Sequence, residues 1–134
     1  MDKTTITNLF DIKGKTALIT GATGGLGKAV SLGLSAAGAK LVITGRSKEK
    51  LEPLAKEIAA NGGDVFSIAG EPTNHDDVIK IIAGAKEAFG RIDILVTAAG
   101  YNKVGPITEQ PLEEWEQIMD ANVKGTYLFC KGSY

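Results

Sequence analysis

Two rhythms of apolar and polar positions alternate along this chain. Runs rich in apolar residues at Ala17–Ile19, Lys40–Thr44, Val65–Ala69 and Ile92–Val96 read as strands. The unbroken apolar character of the first is that of a strand covered on both faces. Between the runs, apolar positions recur at helical spacing. Leu26, Ala29, Val30, Gly33, Leu34 and Ala37 form one stripe, and Leu51, Leu54, Ala55 and Ile58 a second. Val78, Ile81, Ile82, Ala85 and Phe89 form a third, and each stripe predicts a helix that buries it. Gly38, Asn61-Gly62-Gly63 and Gly90 supply the stops. Ser47 is an N-cap, and Pro53 predicts an irregular first turn in the helix that follows. A last helix opens at Pro111 and carries Leu112, Trp115, Ile118, Met119, Asn122, Thr126 and Phe129 along one side. Asn122 therefore stands on the apolar side, where a buried amide needs partners. Met1 to Gly14 is polar and peripheral, with Leu9, Phe10 and Ile12 expected to pin it to the sheet edge.

Strands alternating with amphipathic helices predict an α/β fold, a doubly wound parallel sheet with helices on both faces. Right-handed crossovers give the four strands the order 3-2-1-4, a partial Rossmann-like sheet. A ligand belongs at the carboxyl ends of strands 1 and 4, where the winding reverses.

The glycines say which ligand. Thr20 to Gly25 is a turn between the first strand and its helix, the arrangement that offers backbone N–H groups and a helix dipole to an anion. A P-loop is excluded, because Ala22 stands where its first glycine belongs and Ala29 where its hydroxyl does. The G-x-G-x-x-G fingerprint fails at Val30. What stands is Thr20-Gly21-x-x-x-Gly25-x-Gly27, which resembles the cofactor turn of the short-chain dehydrogenase/reductase family. Arg46 follows the second strand where NAD-specific folds place a ribose-binding acid. Its planar, permanently charged fork suits a 2′-phosphate, so NADP is expected over NAD.

The resemblance extends from about Leu9 to Phe129. It implies cofactor contacts from Gly21, Thr23, Gly24, Gly25, Leu26, Gly27, Arg46 and Ser47. Glu71 stands where the family has an aspartate near the adenine. Thr97-Ala98-Ala99-Gly100 resembles Asn-Asn-Ala-Gly with both asparagines replaced, and places Ala98, Ala99 and Gly100 by the cofactor. Asn122-Val123-Lys124-Gly125 resembles Asn-x-x-Gly, whose asparagine belongs to a catalytic set of Asn, Ser, Tyr and Lys and helps hold a water for proton relay. Asn8–Asp11 and Pro111–Trp115 look most like the gluconate 5-dehydrogenase branch, which acts on sugar acids. The family's catalytic serine and Tyr-x-x-x-Lys follow a fifth strand, beyond Tyr134. The expectation is thus a single truncated domain over residues 1–134, the cofactor half of an NADP(H)-dependent oxidoreductase, inactive alone. The alternatives are a non-catalytic nucleotide-binding module or an inactive remnant.

Composition adds boundaries. The chain has 134 residues and a formal net charge of -1, which gives no electrostatic reason to bind nucleic acid or an anionic membrane. One cysteine, Cys130, and one histidine, His75, make neither a disulfide within the chain nor a Cys/His metal cluster. His75 with Asp76 and Asp77 has no G-x-S-x-G partner, and Thr73-Asn74-His75-Asp76-Asp77 reads as capping and acidic first-turn residues. No apolar run approaches transmembrane length and no secretory leader opens the chain, so a cytoplasmic location is expected. The unpaired edge of the fourth strand and the apolar last helix make a homo-oligomer the expectation, with a small molecule as substrate.

Overall fold

A computed structural model describes residues 3–134. It begins with helix α1 (Lys3–Leu9), β1 (Thr16–Thr20), α2 (Gly25–Ala36), β2 (Lys40–Gly45) and α3 (Lys48–Ala60). There follow β3 (Val65–Ala69), α4 (His75–Phe89), β4 (Ile94–Thr97), α5 (Leu112–Met119), a π-helical turn (Asp120–Lys124) and α6 (Gly125–Ser133). The strands form one parallel sheet in the order β3-β2-β1-β4, with helices on both faces, the partial Rossmann arrangement expected.

β1 is buried along its whole length. Its side chains alternate between two cores, as strand geometry requires. Ala17 and Ile19 join Leu41, Ile43, Leu51, Leu54 and Ile58 on the α2/α3 face. Leu18 joins Val42, Val78, Ile81, Ala85 and Phe129 on the α4/α6 face. The capping residues act as the sequence predicts. Ser47 Oγ accepts from Lys50 N and Asn74 Oδ1 from Asp77 N, while Gly38 and Gly90 adopt positive φ at their helix ends.

Several expectations fail, each for a physical reason. The stripe of Leu26, Ala29, Gly33 and Ala37 faces outward, with Leu26 81% exposed. The buried residues of α2 are Gly27 and Ser31. This helix lies so close to the sheet that its fully buried residues are small, and of the expected stripe Leu34 packs on the core, as does Leu32 beside it. Pro53 sits inside a continuous α3. β4 starts at Ile94, two residues later than expected, because the Asp93 carboxylate and not a backbone carbonyl accepts the Thr16 N–H at the foot of β1. Leu9 and Phe10 are exposed at the end of the unforeseen α1, and of the three expected anchors Ile12 alone packs on the core. Met1 and Asp2 lie outside the described residues. Among the described residues, no helix is long and apolar enough to cross a membrane.

Candidate functional site

The site is built on the turn between β1 and α2. Gly21 has φ 60°, and a Cβ there would lie 2.6 Å from the carbonyl oxygen of Ala98. A Cβ at Gly27 would run into the carbonyl of Gly21. Glycine is thus required twice, once for conformation and once for close approach. Ala22 N donates to Thr44 O at 3.1 Å and Gly24 N to Gly21 O at 3.0 Å, fixing the turn to β2 and to itself. Gly24 is the N-cap of α2 and no side chain caps that end. The first N–H groups of the helix are left to an outside acceptor, and the dipole favours an anion.

A cleft opens at the carboxyl ends of the strands. Gly21, Thr23 and Gly24 form one wall, Arg46 and Glu71 another, and Ala98, Ala99 and Gly100 a third. Arg46 has no ion-pair partner among the described residues, leaving its guanidinium to a ligand anion. Glu71 is held at the rim: its N–H donates to Asp77 Oδ2 at 3.0 Å, and its Oε1 accepts from Thr73 Oγ1 at 3.3 Å. Both asparagines of the family motif are replaced, by Thr97 at the end of β4 and Ala98 just after it. Thr20 supplies bracing instead, its Oγ1 accepting from Ala99 N at 3.2 Å.

Five of the expected site residues do not line this cleft: Gly25, Leu26, Gly27, Ser47 and Asn122. Gly25 and Leu26 open α2, and Gly27 is buried beneath the turn. Ser47 Oγ donates to Glu49 Oε2 at 2.8 Å. The backbone N–H of Glu49 and that hydroxyl hold the Glu49 carboxyl below its usual range.

Asn122 lies in the π-helical turn and is exposed, not buried as its place in the apolar stripe predicted. It is nevertheless fully engaged. Nδ2 donates to Tyr101 O at 2.6 Å and to Ile118 O at 2.9 Å, and Oδ1 accepts from Tyr101 N. The amide thereby ties the helix to the loop after β4, beside Gly100, where a Cβ would lie 2.6 Å from Oδ1. Lys103 ties the same loop to α5 by an ion pair with Glu114 at 2.5 Å, and that hydrogen bond and charge raise the lysine's pKa.

Sequence reasoning missed Thr44, Pro72, Tyr101, Ala121 and Phe129, all of which line the cleft. The alternation of β2 was a usable signal for Thr44, which follows Val42 on the same face. It also passed over a Tyr-x-x-x-Lys spacing at Tyr127 and Lys131. Tyr127 is exposed, with Lys131 Nζ 5.9 Å from its ring centroid, and neither residue lines the cleft.

Comparison with known proteins follows the same lines. The profile of a family described as short chain dehydrogenase matches residues 15–133. An uncharacterised oxidoreductase of Listeria monocytogenes is 40% identical over 114 residues, covering 85% of this chain and 46% of the relative. The crystal structure of a short-chain type dehydrogenase/reductase from Mycobacterium marinum superposes with a TM-score of 0.91 at 38% identity, over 96% of this chain and 52% of that one. A putative gluconate dehydrogenase from Agrobacterium tumefaciens gives 0.88 at 31% identity, over 92% and 49%. The chain thus spans about half the length of the relatives it matches.

Proposed function

This chain belongs to the short-chain dehydrogenase family, and on that footing we propose that it is the cofactor-binding part of an NADP(H)-dependent oxidoreductase interconverting an alcohol and a ketone. The observation that carries this reading is the pairing of an α2 N-terminus without a side-chain cap and an Arg46 without an ion pair among the described residues, across one cleft. The two anionic groups of NADP, its pyrophosphate and its 2′-phosphate, need those two partners in that order. The nicotinamide, when bound, supplies the hydride. The chain's own residues bind and orient. The α2 amides take the pyrophosphate, the Gly21 turn lets the backbone approach it, and Arg46 takes the 2′-phosphate. The Ala98–Gly100 backbone closes the third wall.

Asn122 is assigned the family asparagine's role beside a relay water. Its side chain is committed to the loop at Tyr101, so its part is to hold that loop and the helix in register. We assign the catalytic serine and the tyrosine–lysine pair to sequence outside these 134 residues. A sugar acid is the proposed substrate class. It rests on the likeness of Asn8–Asp11 and Pro111–Trp115 to the gluconate 5-dehydrogenase branch and on the likeness to the Agrobacterium protein. The location is proposed to be cytoplasmic, since the single cysteine requires no oxidising compartment. The assembly is proposed to be a homo-oligomer.

The test is titration of the chain with NADPH and NADH. Saturable binding with NADPH preferred is the expected result. Binding of neither overturns the reading. A non-catalytic nucleotide-binding module is the second reading. Full-length protein that binds NADPH yet leaves its absorbance unchanged with keto-sugar acids would favour it.

A further inference from the structure

Two buried side-chain polar atoms among the described residues have no hydrogen-bond partner, Thr44 Oγ1 and Ser133 Oγ. Of these two residues, only Thr44 lines the cleft. It is 2% exposed, so its hydroxyl has neither a protein partner nor open solvent. A polar group left in that state is costly, and native proteins rarely tolerate it without a function. Thr20, its neighbour on β1 and equally buried, shows the ordinary outcome: its hydroxyl accepts from Ala99 N.

The position of Thr44 says what could complete it. It follows Val42 on the face of the sheet packed by α4 and α6, two residues before Arg46. Gly70 and Pro72 after β3, Ala98 after β4 and Phe129 of α6 line the same cleft. These walls mix apolar side chains with backbone polar groups, a lining that suits the face and edge of an aromatic base, with Arg46 near by. A base edge offers both donors and acceptors, and a hydroxyl can serve either. A 120° turn about χ1 carries threonine's hydroxyl to where its methyl or its hydrogen stood, so a ligand can be met by a single rotamer change.

We propose that Thr44 is a ligand-binding residue whose hydroxyl hydrogen-bonds the adenosine half of the dinucleotide. The inference rests on the nucleotide reading above and extends it to a residue outside the glycine turn and the arginine. Thr44→Val removes the hydroxyl and keeps the shape, and Thr44→Ser keeps the hydroxyl. Calorimetric titration with NADPH and with ADP-ribose, which shares the adenosine half, is the measurement. The valine variant is expected to bind both roughly 3- to 10-fold more weakly, with the serine variant near the unmutated chain. The ligand-free valine variant should also melt no lower than the unmutated chain, since an orphaned polar atom has been replaced by a methyl. Unchanged affinity in the valine variant overturns the inference, as does weaker binding accompanied by a lower melting temperature. An effect on NADPH without one on ADP-ribose overturns the assignment to the adenosine half. Absence of NADPH binding by the unmutated chain overturns the nucleotide reading itself, and this inference with it.

Discussion

At the scale of single residues, Arg46 stands on the wall of the cleft with no ion-pair partner among the described residues. No acid stands between Thr44 and Ser47 to pair with the guanidinium. A charge-assisted bond to a 2′-phosphate is worth roughly 10- to 100-fold in affinity. Arg46→Ala is therefore expected to bring NADPH binding down to the level of NADH, with NADH little changed, in parallel titrations. The face that Thr44 takes was readable from the alternation of β2, but threonine at a strand end is ordinary, and only the lack of a partner for its hydroxyl sets it apart. Asn122 was legible as a residue in need of partners. Its exposure was not, because exposure depends on what covers a helix and not on the helix's own pattern.

At the scale of elements, strand order and most helix ends followed from periodicity and caps. The orientation of α2 did not. A stripe of the largest apolar residues is a sound guide when side chains fill the gap to the sheet. It misleads where Gly27 and Ser31 bring the helix backbone close, with Ser31 Oγ donating to Gly27 O at 2.8 Å. The late start of β4 has a consequence for stability. Asp93 Oδ2 accepts from Thr16 N at 2.9 Å, and its other oxygen pairs with Arg91. The bond from Thr16, and after it the Arg91 charge, hold the Asp93 carboxyl below its usual pKa, against the opposing effect of burial. A carboxylate with a depressed folded pKa stabilises the protein above its unfolded pKa, and the benefit is lost as pH falls through the folded value. Asp93→Ala is therefore expected to lower the melting temperature by roughly 5 °C at neutral pH. The difference from the unmutated chain should shrink only in acid, below the ordinary carboxylate range. A thermal melt series across pH measures both.

At the scale of the whole molecule, β4 is an edge strand. Leu112, Trp115, Met119, Val123 and Tyr127 also leave an exposed apolar line along α5, the π-helical turn and α6. Apolar surface beside an open strand edge favours association. The 134-residue chain is expected to self-associate in light scattering, and Leu112→Glu with Tyr127→Glu should lower the apparent mass while leaving NADPH affinity unchanged. The meeting of three segments at Gly21 carries a different kind of consequence. Its site for a side chain is filled by Ala98 and Ala99, and its carbonyl fills the site for a side chain on Gly27. Every missense change at either codon adds a Cβ, so neither position has a permitted neighbour in sequence space. Gly25 is otherwise: a Cβ there meets nothing within 4 Å. A saturation library of the chain should lose all substitutions at Gly21 and Gly27 under selection for folding alone. At Gly25 it should keep even valine under that selection, and lose it once the survivors are sorted for nucleotide capture.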